Sequence, residues 1–161
     1  MGPIGFSGLL ASYCRNWPVT LYGRDTEASP RVNLARELGA TYTTTLPSSD
    51  ATENDAACGF DLILECTGNE HVMLKAAASL APCGIMVWLG SSRRPHPNES
   101  NLAGLLRNGL LHNNIFIGSV NAAPRDFHDA LSDLAQLSVD NPLVLKQLLT
   151  DRVSPAEALW H

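Results

Sequence analysis

Between its two bounding glycines, the stretch Gly84-Ile85-Met86-Val87-Trp88-Leu89-Gly90 carries no polar side chain. A strand with one wet face alternates apolar and polar residues. A run without alternation belongs to a strand covered on both sides, the position strands hold in a parallel sheet with helices above and below. A chain of 161 residues is the size of one domain, so the rest of that sheet must come from neighbouring segments.

Those segments alternate. Ile4, Phe6, Leu9, Leu10 and Tyr13 recur at helical spacing until Pro18 forbids continuation. Residues 19–22 form a strand closed by Gly23. Ser29 and Pro30 are a cap and a first helical residue, opening a helix that runs to Gly39. Residues 40–43 read as a short strand, residues 46–58 as a polar surface connection, and residues 60–66 as a strand ending in Thr67-Gly68. Asn69 caps a helix whose core face is Val72, Leu74, Ala77, Ala78 and Leu80, stopped by Pro82. After the apolar strand, residues 91–98 form an irregular loop and Asn98 caps a helix through Leu102, Leu105, Leu106 and Leu110. Residues 115–120 are the last strand. Pro124 starts a helix with Phe127, Leu131, Leu134 and Leu137 inward, residues 143–149 another, and Ser154 to Glu157 has capping-box spacing. The expected architecture is α/β, a Rossmann-type doubly wound parallel sheet. Ligands of such sheets sit at the carboxyl ends of the strands.

The remaining composition narrows the ligand. Eleven Lys and Arg against sixteen Asp and Glu leave a net charge of -5, which argues against nucleic acid or an acidic membrane face and for a small molecule. No apolar run approaches the roughly 18 residues of a membrane span, and no signal-like stretch opens the chain; a cytoplasmic setting is expected. Cys14, Cys58, Cys66 and Cys83 form no CxxC pair, and the five histidines show no HxH or HxxxH spacing. Neither a disulfide framework nor a metal site is expected here. Cys66 ends an apolar strand and reads as packing, and Arg93 and Arg94 as solvated loop residues.

A glycine turn that opens a helix offers free backbone N–H groups and a positive dipole end to a pyrophosphate. Gly2 and Gly5 supply the later half of a G-x-G-x-x-G pattern, followed twenty-odd residues on by a strand ending at Gly23-Arg24-Asp25, where a dinucleotide site binds its adenosine ribose. Arg24 suits adenine or a 2′-phosphate; Asp25 suits a 2′-hydroxyl and repels that phosphate. Gly2-Pro3-Ile4-Gly5 stands directly after Met1, so the strand that ordinarily precedes such a turn is expected to be missing.

With Glu65-Cys66-Thr67-Gly68, Leu89-Gly90, Leu111-His112-Asn113-Asn114 and Gly118-Ser119-Val120-Asn121 added, the chain resembles the C-terminal cofactor-binding domain of the medium-chain dehydrogenase/reductase superfamily, glucose dehydrogenase branch. The resemblance implies NADP or NAD as cofactor and oxidation of an aldose to its lactone by hydride transfer to nicotinamide. It implies that Gly2, Pro3, Ile4 and Gly5 hold the pyrophosphate and that Gly23, Arg24 and Asp25 face the adenosine side. Thr67, Gly68, Leu89 and Gly90 would line the ribose and nicotinamide, and Val120 and Asn121 the nicotinamide. Asn121 would also meet the sugar, with His112 orienting Asn121 or the substrate. Members of the branch usually carry a second basic residue after the arginine; Asp25 stands there instead, so use of both cofactors is expected. The resemblance places the zinc and the proton relay in an N-terminal domain outside this chain, leaving no catalytic or metal residue here and a fragment inactive alone. Residues 1–150 would be the dinucleotide-binding domain and residues 151–161 a segment returning toward the zinc domain, within a dimer or tetramer. Another zinc alcohol, polyol or threonine dehydrogenase, or a non-catalytic NAD(P)-sensing module, are the alternative readings.

Overall fold

Local cap chemistry decides most element ends in the structure, a computed structural model that describes residues 2–46, 59–91, 102–148 and 153–156. Helix α1 (Pro3–Cys14) begins at the glycine turn and leads to strand β1 (Thr20–Tyr22). Helix α2 (Pro30–Glu37) is opened by Ser29, whose hydroxyl oxygen accepts the Arg31 N–H at 3.3 Å, and is followed by Gly39 at φ +77°. Strand β2 (Thr41–Thr43) then lies parallel to β1, Leu21 opposite Tyr42.

The second unit repeats this logic. Strand β3 (Phe60–Glu65), helix α3 (Glu70–Ala77), strand β4 (Leu80–Trp88), helix α4 (Leu102–Leu111) and strand β5 (Ile115–Gly118) build a parallel sheet in the order β3-β4-β5. Asn69 caps α3 by accepting the Val72 N–H at 3.1 Å. Met86, in the middle of the apolar run, is fully buried against Ala76, Ala77 and Leu80, and Trp88 stacks on Phe116 with ring centroids 5.8 Å apart. Helices α5 (Pro124–Asp140) and α6 (Pro142–Leu148) follow; their Leu137 and Val144 join Phe6, Leu9, Leu34 and Ala35 in a second core. Alternating strands and helices with parallel pairing make the fold α/β, as expected.

Three local expectations are corrected. Leu80 opens β4 instead of closing α3. Phe60 pairs with Leu80 but Leu62 with Ile85, so residues 81–84 bulge from the ladder, and Pro82 sits where no N–H is required. The last strand stops at Gly118. Of the four residues expected inward on α5 only Leu137 is buried; Phe127, Leu131 and Leu134 are 63%, 66% and 39% exposed. Asn98, Arg93, Arg94, most of the 46–58 connection and Glu157 lie outside the described residues.

The described strands form two sheets. β1 and β3 each keep one edge without a strand partner, and both line one groove of about 1910 Å³. Helix α1 closes the groove on one side: its Phe6 and Leu9 belong to the core over β1 and β2, and its Gly8 lies against Leu64 of β3. Among the described residues no helix is long and apolar enough to cross a membrane.

Candidate functional site

The first turn of α1 opens into the groove. Gly2 is its N-cap with φ -96° and ψ 170°, Pro3 is the first helical residue, and the turn has neither a capping side chain nor an acidic residue. A helix start leaves backbone N–H groups without intrahelical partners and a partial positive charge. A Cβ built on Gly2 or Gly5 would meet nothing within 4 Å. This is the open, donor-rich cradle that a pyrophosphate needs, so the turn fits a dinucleotide.

Gly23, Arg24 and Asp25 line the same groove from the end of β1. Tyr42 of β2 shapes that turn: its hydroxyl donates to the Asp25 carbonyl at 2.8 Å, and it leaves a Cβ on Gly23 only 3.0 Å of room. Burial pushes the Tyr42 phenol above its ordinary value. It therefore stays a donor at neutral pH. Arg24 is exposed at the rim.

At the end of β3 the buried Glu65, 4% exposed, organises the opposite wall. Its carboxylate accepts the Thr67 N–H at 2.7 Å, the Gly68 N–H at 3.1 Å and the Thr67 hydroxyl. Its main-chain carbonyl accepts the N–H groups of Leu89 and Gly90 at 2.8 and 3.0 Å. Thr67 Oγ1 in turn accepts the Asn69 N–H at 3.0 Å. Gly68 holds φ +64°, and a Cβ on Gly90 would stand 2.3 Å from the Gly68 nitrogen; the turns after β3 and β4 therefore touch backbone to backbone. Burial first, then the Glu65 charge, push the Cys66 thiol above its ordinary value, which keeps it protonated and a poor nucleophile.

Thr67 and Gly68 face the groove; Leu89 and Gly90 stand behind them, one strand further on. The Ser119 N–H donates to the Trp88 carbonyl at 3.1 Å, so Val120 and Asn121, the latter at φ +66°, follow at the same end of the sheet. His112 is not brought to this end. It precedes β5, its carbonyl accepting the Cys83 N–H at 2.8 Å, whereas Asn121 follows that strand. Its neighbour Asn114 donates to the Ala81 carbonyl at 2.8 Å, so the His-Asn-Asn stretch clasps the β4 bulge. The sequence reading gave no role to Glu65 or Tyr42. The available signal was a glutamate closing the apolar run Leu62-Ile63-Leu64 at the end of the strand. Among the described residues no group of three or more His, Cys, Asp or Glu side chains could hold a metal ion.

Residues 1–159 match the protein family described as glucose dehydrogenase C-terminus. Glucose 1-dehydrogenase 1 of Caldivirga maquilingensis is 30% identical over 153 residues, 95% of this chain and 42% of that protein. Glucose 1-dehydrogenase of Thermoproteus tenax is 30% identical over 156 residues, 97% of this chain and 43% of that protein. Among solved structures, Haloferax mediterranei glucose dehydrogenase in complex with NADP, Zn and gluconolactone superposes with a TM-score of 0.70 at 26% identity, covering 88% of this chain and 40% of that one. The chain thus spans about two fifths of the length of the relatives it matches.

Proposed function

Because the chain belongs to the glucose dehydrogenase C-terminal family, we propose that it is the dinucleotide-binding domain of a longer oxidoreductase that converts an aldose, D-glucose foremost, to its lactone. The observation that carries this reading is the uncapped glycine turn of α1, open to a groove that Arg24 and Asp25 flank on one side and Thr67 and Gly68 on the other. Residues 1–150 form the cofactor domain and residues 151–161 lead toward the rest of the enzyme.

NADP or NAD supplies the hydride acceptor when bound. The backbone of Gly2, Pro3, Ile4 and Gly5 receives the pyrophosphate. Arg24 meets a 2′-phosphate or stacks on adenine, Asp25 accepts from a free 2′-hydroxyl, and Gly23 leaves the backbone room to turn between them. This pairing of opposite preferences supports use of both cofactors. Thr67 and Gly68 form the ribose and nicotinamide wall, backed by Leu89 and Gly90 one strand further on, with Val120 and Asn121 beyond and Asn121 toward the sugar. His112 is left out of the site, on the geometry above. Among the described residues no group of three or more His, Cys, Asp or Glu side chains could hold a zinc ion, and this reading assigns any metal-dependent step to another part of the longer enzyme. A homodimer or tetramer in the cytoplasm completes the reading; the free thiols of Cys14, Cys66 and Cys83 accord with a reducing compartment.

The test is turnover by the full-length protein with each cofactor, using glucose, galactose, sorbitol, threonine and simple alcohols. Sugar turnover is expected. Good alcohol turnover without sugar turnover overturns the substrate, and cofactor binding without any turnover favours a sensor. Arg24→Ala is expected to raise KM for NADP by about tenfold, the loss of one charge-assisted contact, and Asp25→Arg to shift preference toward NADP.

A further inference from the structure

We propose that Glu65 is a positioning residue that gives the crevice its polarity, turning every hydrogen-bond donor of the Thr67–Gly68 turn inward so that only acceptors face the cofactor. The proposal rests on the dinucleotide-binding reading above and extends it to a residue that touches no ligand itself.

The donors can be counted. The turn owns the N–H groups of Thr67 and Gly68 and the Thr67 hydroxyl, and all three end on the one buried carboxylate. The next N–H, of Asn69, is taken by Thr67 Oγ1, and that of Val72 by the Asn69 side chain. A carboxylate only accepts, so no rotation at Glu65 can return a donor to the groove. What the turn has left is carbonyl oxygens. Across the groove, the first turn of α1 presents N–H groups and a positive helix end.

A phosphate, rich in acceptors, is repelled by the Thr67–Gly68 wall and drawn to the glycine turn. Ribose hydroxyls and a carboxamide NH₂, which donate, suit the Thr67–Gly68 wall. Glu65 thus fixes which way round a dinucleotide lies. By also holding Leu89 and Gly90 through its carbonyl, it keeps both nicotinamide-side turns in register with the turn it polarises.

Two measurements on the full-length protein test this. In amide hydrogen exchange without ligand, the Thr67 and Gly68 amides are expected to be slow already and to gain nothing when NADPH is added. The Ile4 and Gly5 amides are expected to become protected on binding. Exposed Thr67 and Gly68 amides that slow only with NADPH overturn the proposal. In Glu65→Gln, one carboxylate oxygen becomes an NH₂ donor. Binding of NADPH is expected to weaken by about tenfold, as for a lost hydrogen bond to a charged group, while 2′,5′-ADP, which lacks the nicotinamide half, binds as to wild type. Glu65→Asp, which keeps the acceptor charge, should recover part of the loss. Equal weakening of both ligands at an unchanged melting temperature, or no weakening of either, sinks the assignment of Glu65. If the variant fails to fold, the exchange pattern of the wild type decides alone. Wild-type protein that binds neither NADPH nor 2′,5′-ADP would instead overturn the dinucleotide reading itself.

Discussion

Two glycines of the crevice serve opposite ends. Gly90 is required by contact, since a Cβ there meets the Gly68 nitrogen, an atom of backbone that cannot yield. Gly90→Ala is expected to destabilise the protein by about 2–3 kcal/mol in denaturant titration, in the range of overpacked cores. Gly5 is required by nothing within the protein, because a Cβ there meets open space. Gly5→Ala should leave stability unchanged or raise it by up to about 1 kcal/mol, the helix preference for alanine, while weakening dinucleotide binding. Cys66 makes a prediction in pH. Burial, then Glu65, hold its thiol above the ordinary value of 9.0, and burial, then Asp133, do the same for Cys14. The folded chain keeps these protons where the unfolded chain releases them. The stability gained is therefore complete below the unfolded value and is lost as pH rises past it. Denaturation midpoints should decline from about pH 8.5 upward, and Cys66→Ala should flatten the decline.

At the scale of elements, α5 departs furthest from its sequence pattern. Phe127, Leu131, Leu134 and Leu137 lie on one helical face, yet only Leu137 enters a core. Leu137→Ala is expected to cost about 2–5 kcal/mol. Leu131→Ser should stay within about 0.5 kcal/mol and improve solubility, as light scattering during the same titration would record. Periodicity states that a helix has an apolar face but not what that face meets, which is why the inward reading failed for three residues out of four. Caps were legible because their chemistry is local: Ser29, Gly39 and Asn69 act within a few residues of themselves. The start of β4 was not, because the bulge at residues 81–84 is set by pairing with Phe60 and by the Asn114 clasp, both distant in sequence. The site divides in the same way. Gly2, Gly5 and Arg24 announce themselves by spacing, whereas Glu65 belongs to no spacing motif: its carboxylate bonds are local, two and three residues along the chain, and only its carbonyl reaches the distant Leu89 and Gly90. The end of β5 that His112 occupies was legible too, since it precedes that strand in sequence and ligands of a parallel sheet sit at the carboxyl ends.

For the whole molecule, the two-sheet arrangement governs solution behaviour. The facing edges of β1 and β3, mostly half-buried or exposed, leave ladder groups open to the groove. Exposed strand edges also recruit other chains. The isolated 161-residue polypeptide is therefore expected to aggregate with rising concentration, to melt broadly and to bind NADP poorly. A sharp cooperative melt with micromolar NADP affinity in that polypeptide would contradict this. Helix α1 gives the arrangement one further property. Seated on the α2-side core through Phe6 and Leu9 and on β3 through Gly8 against Leu64, it works as a beam resting on two piers, with its glycine turn as the loaded end. A ligand held at that end is therefore held by the same helix that joins the two half-sheets, so substitutions that loosen Phe6, Leu9 or Gly8 are expected to lower ligand affinity and thermal stability together.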